Sequence, residues 1–87
     1  MNNKIYIVHA VFVTEHERDT IVKAFQNLAD AEKYLDDFIA SEMESEWYKN
    51  TPDIQIFEIG NDYWCAYSEC DPFGSFSEIE IKEVEIE

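Results

Sequence analysis

The chain opens its ordered pattern at KIYIVHAVFV, Lys4 to Val13, where apolar side chains occupy both alternating sets of positions. A β-branched run of this kind predicts a central strand covered on both faces. The polar stretch TEHERD, Thr14 to Asp19, reads as a loop, and TIVKAF, Thr20 to Phe25, as the hairpin partner of the first strand. The period then changes to that of a helix. Asn27 is a good N-cap, with Asp30 in the first turn, where a carboxylate is favoured. Leu28, Ala31, Leu35, Phe38 and Ile39 make one apolar stripe, flanked by Tyr34, while Asp30, Lys33, Asp36, Asp37 and Glu44 fall on the opposite side. The spacing predicts a helix from Leu28 to about Glu46, with Glu42 and Glu46 projecting onto the apolar side at an end that overhangs the sheet. Asn50-Thr51-Pro52 stops it.

Two further strand patterns, DIQIFEI and DYWCAY, flank Gly60-Asn61, a two-residue hairpin signal. That turn would pair Ile59 with Asp62, Phe57 with Trp64, Ile56 with Cys65 and Ile54 with Tyr67. Ile54, Ile56, Tyr63, Cys65 and Tyr67 would then share a face. Asp71, Pro72 and Gly74 mark a loop before the last strand, FSEIEIKEVEIE, Phe76 to Glu87. Its aliphatics change parity: Ile79 and Ile81 share one set of positions, Val84 and Ile86 the other. A one-residue bulge at Lys82-Glu83 would bring all four to one side and line Glu78, Glu80, Glu85 and Glu87 along the other. The bland alternative is an edge strand charged against edge-to-edge pairing. The order β-β-α-β-β-β predicts a single α+β domain over residues 1–87, with a mainly antiparallel sheet and one helix across one face.

Length changes this picture little: 87 residues support one small core. Charge changes it more. Twenty acids against six bases give −14, well beyond the magnitude of about 2 to 8 usual for a small domain. Seven acids and one lysine lie between Asp30 and Glu46, and ten acids and one lysine between Asp53 and Glu87, so the excess belongs to the helix and the second half. Direct nucleic-acid binding and anionic membrane surfaces are disfavoured, because both require Lys and Arg. Halophily, solubility or a strongly basic protein partner would each account for the balance. The longest uncharged run, Ile5 to Thr14, is too short to span a membrane, and the start shows no leader-peptide pattern, so a cytosolic protein is expected.

Chemistry is sparse. Cys65 and Cys70 are expected to be a reduced pair, and no metal-ligand spacing accompanies them. His9 belongs to the first strand as a core or cross-strand residue, and His16 to an acidic loop. No nucleophile signature adjoins either, and no phosphate-cradling glycine loop or calcium loop is present. No cofactor or metal is expected. Most aromatics belong to the core, and Trp47, Tyr48 and Phe73 are the candidates for exposed anchors.

KIYIV at the start, the stretch AFQNLADAEKYL at the strand-to-helix junction and IEIKEVEIE at the end resemble small acidic proteins encoded by bacteriophages and mobile elements. The resemblance implies a phage accessory protein working in the host bacterial cytoplasm. That wider group includes anti-CRISPR and anti-restriction proteins that occupy nucleic-acid sites on host enzymes. It carries over no functional residue. The reading that follows is a non-enzymatic inhibitor that imitates nucleic acid in a basic groove of a host defence enzyme such as a CRISPR or restriction nuclease. Its contacts would be Asp36, Asp37, Glu42, Glu44 and Glu46 on the helix and Glu78, Glu80, Glu83 and Glu85 on the last strand, gathered into one field. The alternative is a small protein- or ligand-binding module, open to being a homodimer, that uses Trp47, Tyr48 and Phe73, with the acids serving solubility.

Overall fold

The computed structural model describes residues 4–14, 17–69 and 74–86. His16, Cys70, Asp71, Pro72, Phe73 and Glu87, which the sequence singled out, lie outside them. The chain forms β1 (Lys4–Val13), β2 (Arg18–Phe25), α1 (Leu28–Met43), α2 (Glu46–Asn50), β3 (Gln55–Ile59), β4 (Tyr63–Tyr67) and β5 (Phe76–Glu85). The strands make one antiparallel sheet in the order β2-β1-β5-β4-β3, with α1 against one face. The α+β expectation with five antiparallel strands and a helix across one face is met.

Asn27 caps α1 as expected, its Oδ1 accepting from the Ala29 amide at 2.8 Å. The helix ends three residues earlier than the periodicity predicts. Ser45 takes extended backbone and accepts from the Tyr48 amide, which starts a separate short helix, α2. Two side chains of α1, Ala31 and Leu35, are buried. They meet Val8 and Ala10 of β1, Trp64 and Ala66 of β4, and Ile79 and Ile81 of β5. Leu28, assigned to the same stripe, is instead exposed, because it sits at the first helical position, beyond the packed turns.

Three expectations about the strands are overturned. β5 is not an edge: it is the middle strand of the five, paired with β1 and with β4. It contains no bulge, since its register against β1 runs without interruption from Val13↔Phe76 to Lys4↔Glu85. The parity change is therefore real. Ile79 and Ile81 face the helix, whereas Val84 lies on the other side of the sheet. The third correction concerns the β3–β4 hairpin, which turns through three residues, Gly60-Asn61-Asp62. Ile59 consequently opposes Tyr63, not Asp62, and every pair shifts by one. Gly60 has φ of 56°, a left-handed conformation that costs glycine little. After this shift Ile56 joins Trp64 and Ala66 on the helix side. Tyr63, Cys65 and Tyr67 share the opposite face with Phe57 and Ile59.

β1 is central, as its composition predicts, but the described residues cover it on one face only. Val8 and Ala10 are buried beneath α1; Ile5, Ile7, His9, Val11 and Val13 on the other side are only partly buried, by their sheet neighbours.

Candidate partner-binding surfaces

The position of β5 decides where its carboxylates go. Side chains alternate along a strand, so Glu78, Glu80 and Lys82 lie on the open face, and Glu83 and Glu85 lie on the helix side. Glu78 and Glu80 thus occupy the middle of the uncovered sheet face. The Tyr63 hydroxyl donates to Glu78 Oε2 at 2.6 Å. Glu80 Oε1 is 3.5 Å from Lys82 Nζ and 4.0 Å from His9 Nδ1. The result is a short polar seam along β5. It has aliphatics of β1 and β2 on one side, and Phe57, Ile59 and Tyr67 on the other.

Within this seam the hydrogen bond to Glu78 pushes the Tyr63 phenol well above its ordinary value, aided by desolvation and by the Glu78 charge. Burial pushes the Cys65 thiol up, and the Glu78 charge adds to the rise. A thiol held protonated is a poor nucleophile. Cys65, which is a free cysteine, is separated from His9 by the whole of β5. Two strand spacings amount to about 9.6 Å, so Cys65 and His9 do not form a Cys–His pair.

The opposite side of the molecule carries the acids of α1. Asp30, Asp36, Asp37 and Glu44 are exposed, with Lys33 exposed among them. Glu46 is exposed on α2, and Glu44 binds Lys49 at 2.9 Å. Glu83 and Glu85 belong to this side of the sheet, and Glu83 is 3.5 Å from Lys4. Nine carboxylates expected in one field are therefore divided. Asp36, Asp37, Glu44, Glu46, Glu83 and Glu85 are on the helix side, and Glu78 and Glu80 are on the reverse. A single sheet layer parts the two groups.

Glu42 belongs to neither. It lies on the inward side of α1, as its spacing indicated, but over the sheet and not beyond it. Desolvation raises its pKa, and the facing Ser77 hydroxyl partly offsets the rise without closing a hydrogen bond. Although Glu42 as a whole is only partly buried, its Oε2 is shut from solvent and unpaired. The same is true of Ser77 Oγ and of the Nε1 atoms of Trp47 and Trp64.

Trp47 and Tyr48 are not exposed anchors: both pack against the core, and Trp47 meets the Phe12 ring edge-on with centroids 5.8 Å apart. The well-exposed large hydrophobics among the described residues are Val22, Leu28, Ile56, Phe57, Ile59, Val84 and Ile86. Val22, Phe57, Ile59 and Val84 all project from the open face, as the pairing registers require. Of these four, only Val84 is marked in the sequence, by the parity change of β5, which a bulge would have turned towards the core.

A shallow recess of about 290 Å³ lies between the start of α1 and the β3–β4 turn, lined by Leu28, Glu32, Gly60, Asn61 and Asp62. Among the described residues no group of three or more His, Cys, Asp or Glu side chains could hold a metal ion, and no helix is long and apolar enough to cross a membrane. Comparison with protein-family models, with curated proteins and with solved structures finds no match to this chain.

Proposed function

We propose that the protein is a non-enzymatic acidic inhibitor that occupies a basic groove of a nucleic-acid-binding enzyme with its helix side. The observation that carries this reading is the solvent side of α1, where Asp30, Asp36, Asp37 and Glu44 stand exposed against Lys33. From Asp30 to Glu44 the helix rises about 21 Å, so these carboxylates are spaced more sparsely than the phosphates of a duplex, one per about 1.7 Å of axis. Glu46, Glu83 and Glu85 extend the same side. The net charge of −14 supplies a long-range field that attracts a cationic groove and speeds encounter. Glu42, Glu78 and Glu80 drop out of the phosphate-replacing set, because one is turned inward and two face the reverse. A host CRISPR or restriction nuclease as the enzyme, and a phage as the source, follow from the resemblance of the terminal and junction segments to phage accessory proteins.

The test is capture from a bacterial lysate at low salt, elution along a salt gradient, and identification of what leaves late. Basic nucleic-acid enzymes are expected in the late fractions, and the triple variant Asp36→Asn/Asp37→Asn/Glu44→Gln should release them early. A partner whose affinity is indifferent to salt, or to that variant, overturns the reading.

A further inference from the structure

We propose that the free edge of β3 accepts an added strand from a protein segment in which apolar residues alternate with lysines or arginines. The inference goes beyond the helix-side reading and uses the far edge of the sheet, so either can fail without the other.

β2 and β3 are the two edges of the sheet, and they differ. β2 carries Arg18, Asp19 and Lys23, charges of the kind that discourage pairing with another chain. β3 has one charge, Glu58, and neither proline nor lysine. It has no bulge either, since its register against β4 runs without interruption from Ile59↔Tyr63 to Gln55↔Tyr67. All five of its residues are exposed, because α1 packs on β1, β5 and β2. Apolar side chains therefore stand open on both faces of one strand: Ile56 on the helix side at 42% exposure, Phe57 and Ile59 on the reverse at 52% and 56%. Along its outer side, among the described residues, alternate backbone N–H and C=O groups have no strand to meet.

Backbone and charge together select the occupant. A row of unmet main-chain groups calls for an extended segment, which brings the matching row. The two faces then set its side chains, which alternate. On the open face they meet Ile59 and Phe57, which is held edge-on to Tyr63 with centroids 6.1 Å apart, so apolar residues fit. On the helix side they meet Glu58 and, past the end of the strand, the recess walled by Glu32 and Asp62, so cationic residues fit. No base lines that recess. From Asn50 to Ile81 the chain holds seven acids and no lysine, arginine or histidine. Lys82 is two strands away from β3, with its Nζ 3.5 Å from Glu80 Oε1. A second copy pairing through β3 would lay this acidic half against its own likeness, with no base on either strand. A basic extended segment meets no such repulsion, and contact and long-range field act together.

The probe is a seven-residue peptide of alternating lysine and valine with blocked ends. One control has the same composition in scrambled order. The other has proline for the central valine, which removes a main-chain donor from the strand. Binding to the full chain is followed by titration calorimetry, amide chemical-shift mapping and amide hydrogen exchange. The alternating peptide should bind at least tenfold more tightly than either control, with shifts centred on Gln55–Ile59 and exchange slowed at alternate β3 amides. F57S/I59S, which alters only exposed positions and whose folding is checked by circular dichroism, should weaken binding several-fold. E32Q/E58Q should weaken it and flatten its salt dependence, whereas D36N/D37N/E44Q should preserve the preference for the alternating peptide. Equal binding of the three peptides overturns the proposal, as do shifts centred on β2 or α1, or β3 amides whose exchange is unchanged. Sedimentation of the free protein as a dimer that F57S/I59S dissociates also overturns it, because the occupant would then be a second copy.

Discussion

Ile5 stands opposite Val84 on the open face of the sheet, while three pairs further along the same two strands Val8 stands opposite Ile81 beneath the helix. One uninterrupted register therefore sends aliphatics of β5 to both sides. The consequence is a contrast within a single strand. Ile79 is fully buried and Val84 is 37% exposed. Ile79→Ala should cost about 2–5 kcal/mol, from lost burial and the cavity left behind. Val84→Ala removes little buried area and should cost under about 1 kcal/mol. Chemical denaturation of the two variants checks this, and equal losses would mean that Val84 is covered.

Tyr63 gives a second expected outcome. Its phenol donates to Glu78, and that bond, followed by desolvation and the Glu78 charge, raises its pKa far above the ordinary tyrosine value of 10.0. A raised folded-state pKa means that the stabilisation is complete below the unfolded value and is lost as pH rises above it. In a spectrophotometric titration, Tyr63 should ionise well above the pH at which a free tyrosine does. Glu78→Gln should return that step towards the free tyrosine value, and Tyr63→Phe should remove it.

Much of the fold was legible before any coordinates, and the exceptions share a cause. Period and caps are local, so Asn27, the helical stripe and the five strand patterns could be read in place. Strand order is not local. Nothing in FSEIEIKEVEIE says that it lies between β1 and β4, and its alternating glutamates look the same on an edge as in the middle of an open face. The bulge at Lys82-Glu83 was inferred by requiring every aliphatic to face the core, a rule that holds for burial of polar groups far better than for exposure of apolar ones. Gly60-Asn61 fits a two-residue turn as well as part of a three-residue one, and the difference of one residue moved Ile56 to the helix side and Phe57 to the open face. The acids followed the strands: their number was plain, and their division between two faces depended on the register.

Cys65 should react slowly. Burial first, then the Glu78 charge, raise its pKa, so less thiolate is present at neutral pH than for an exposed cysteine. Alkylation followed peptide by peptide in the mass spectrometer should show Cys65 lagging a model thiol at pH 7. Glu78→Gln, which removes the adjacent negative charge without changing shape, should speed it. An unchanged rate would show that burial alone controls access.

The last expectation concerns Glu42, where the sign of the pH effect runs opposite to the usual carboxylate. Desolvation raises its pKa above the ordinary 4.5, and the facing Ser77 offsets only part of this. The folded state therefore binds its proton more readily than the unfolded chain does. The associated stability is complete below the unfolded value and is lost as pH climbs through the folded one, so at neutral pH the ionised carboxylate is a liability. Its Oε2 is buried and unpaired, and the Ser77 hydroxyl that faces it also lacks a partner. A neutral amide of the same shape removes the charge and can both donate and accept. Because the side chain is only partly buried, solvent screening keeps the effect small, and Glu42→Gln should raise Tm at pH 7 by no more than about 4 °C. The gain should vanish when the melts are repeated below the ordinary carboxyl range. A Tm that falls at pH 7 would mean that ionised Glu42 is satisfied by bound water in this layer, and that the layer is a polar network and not a strained one.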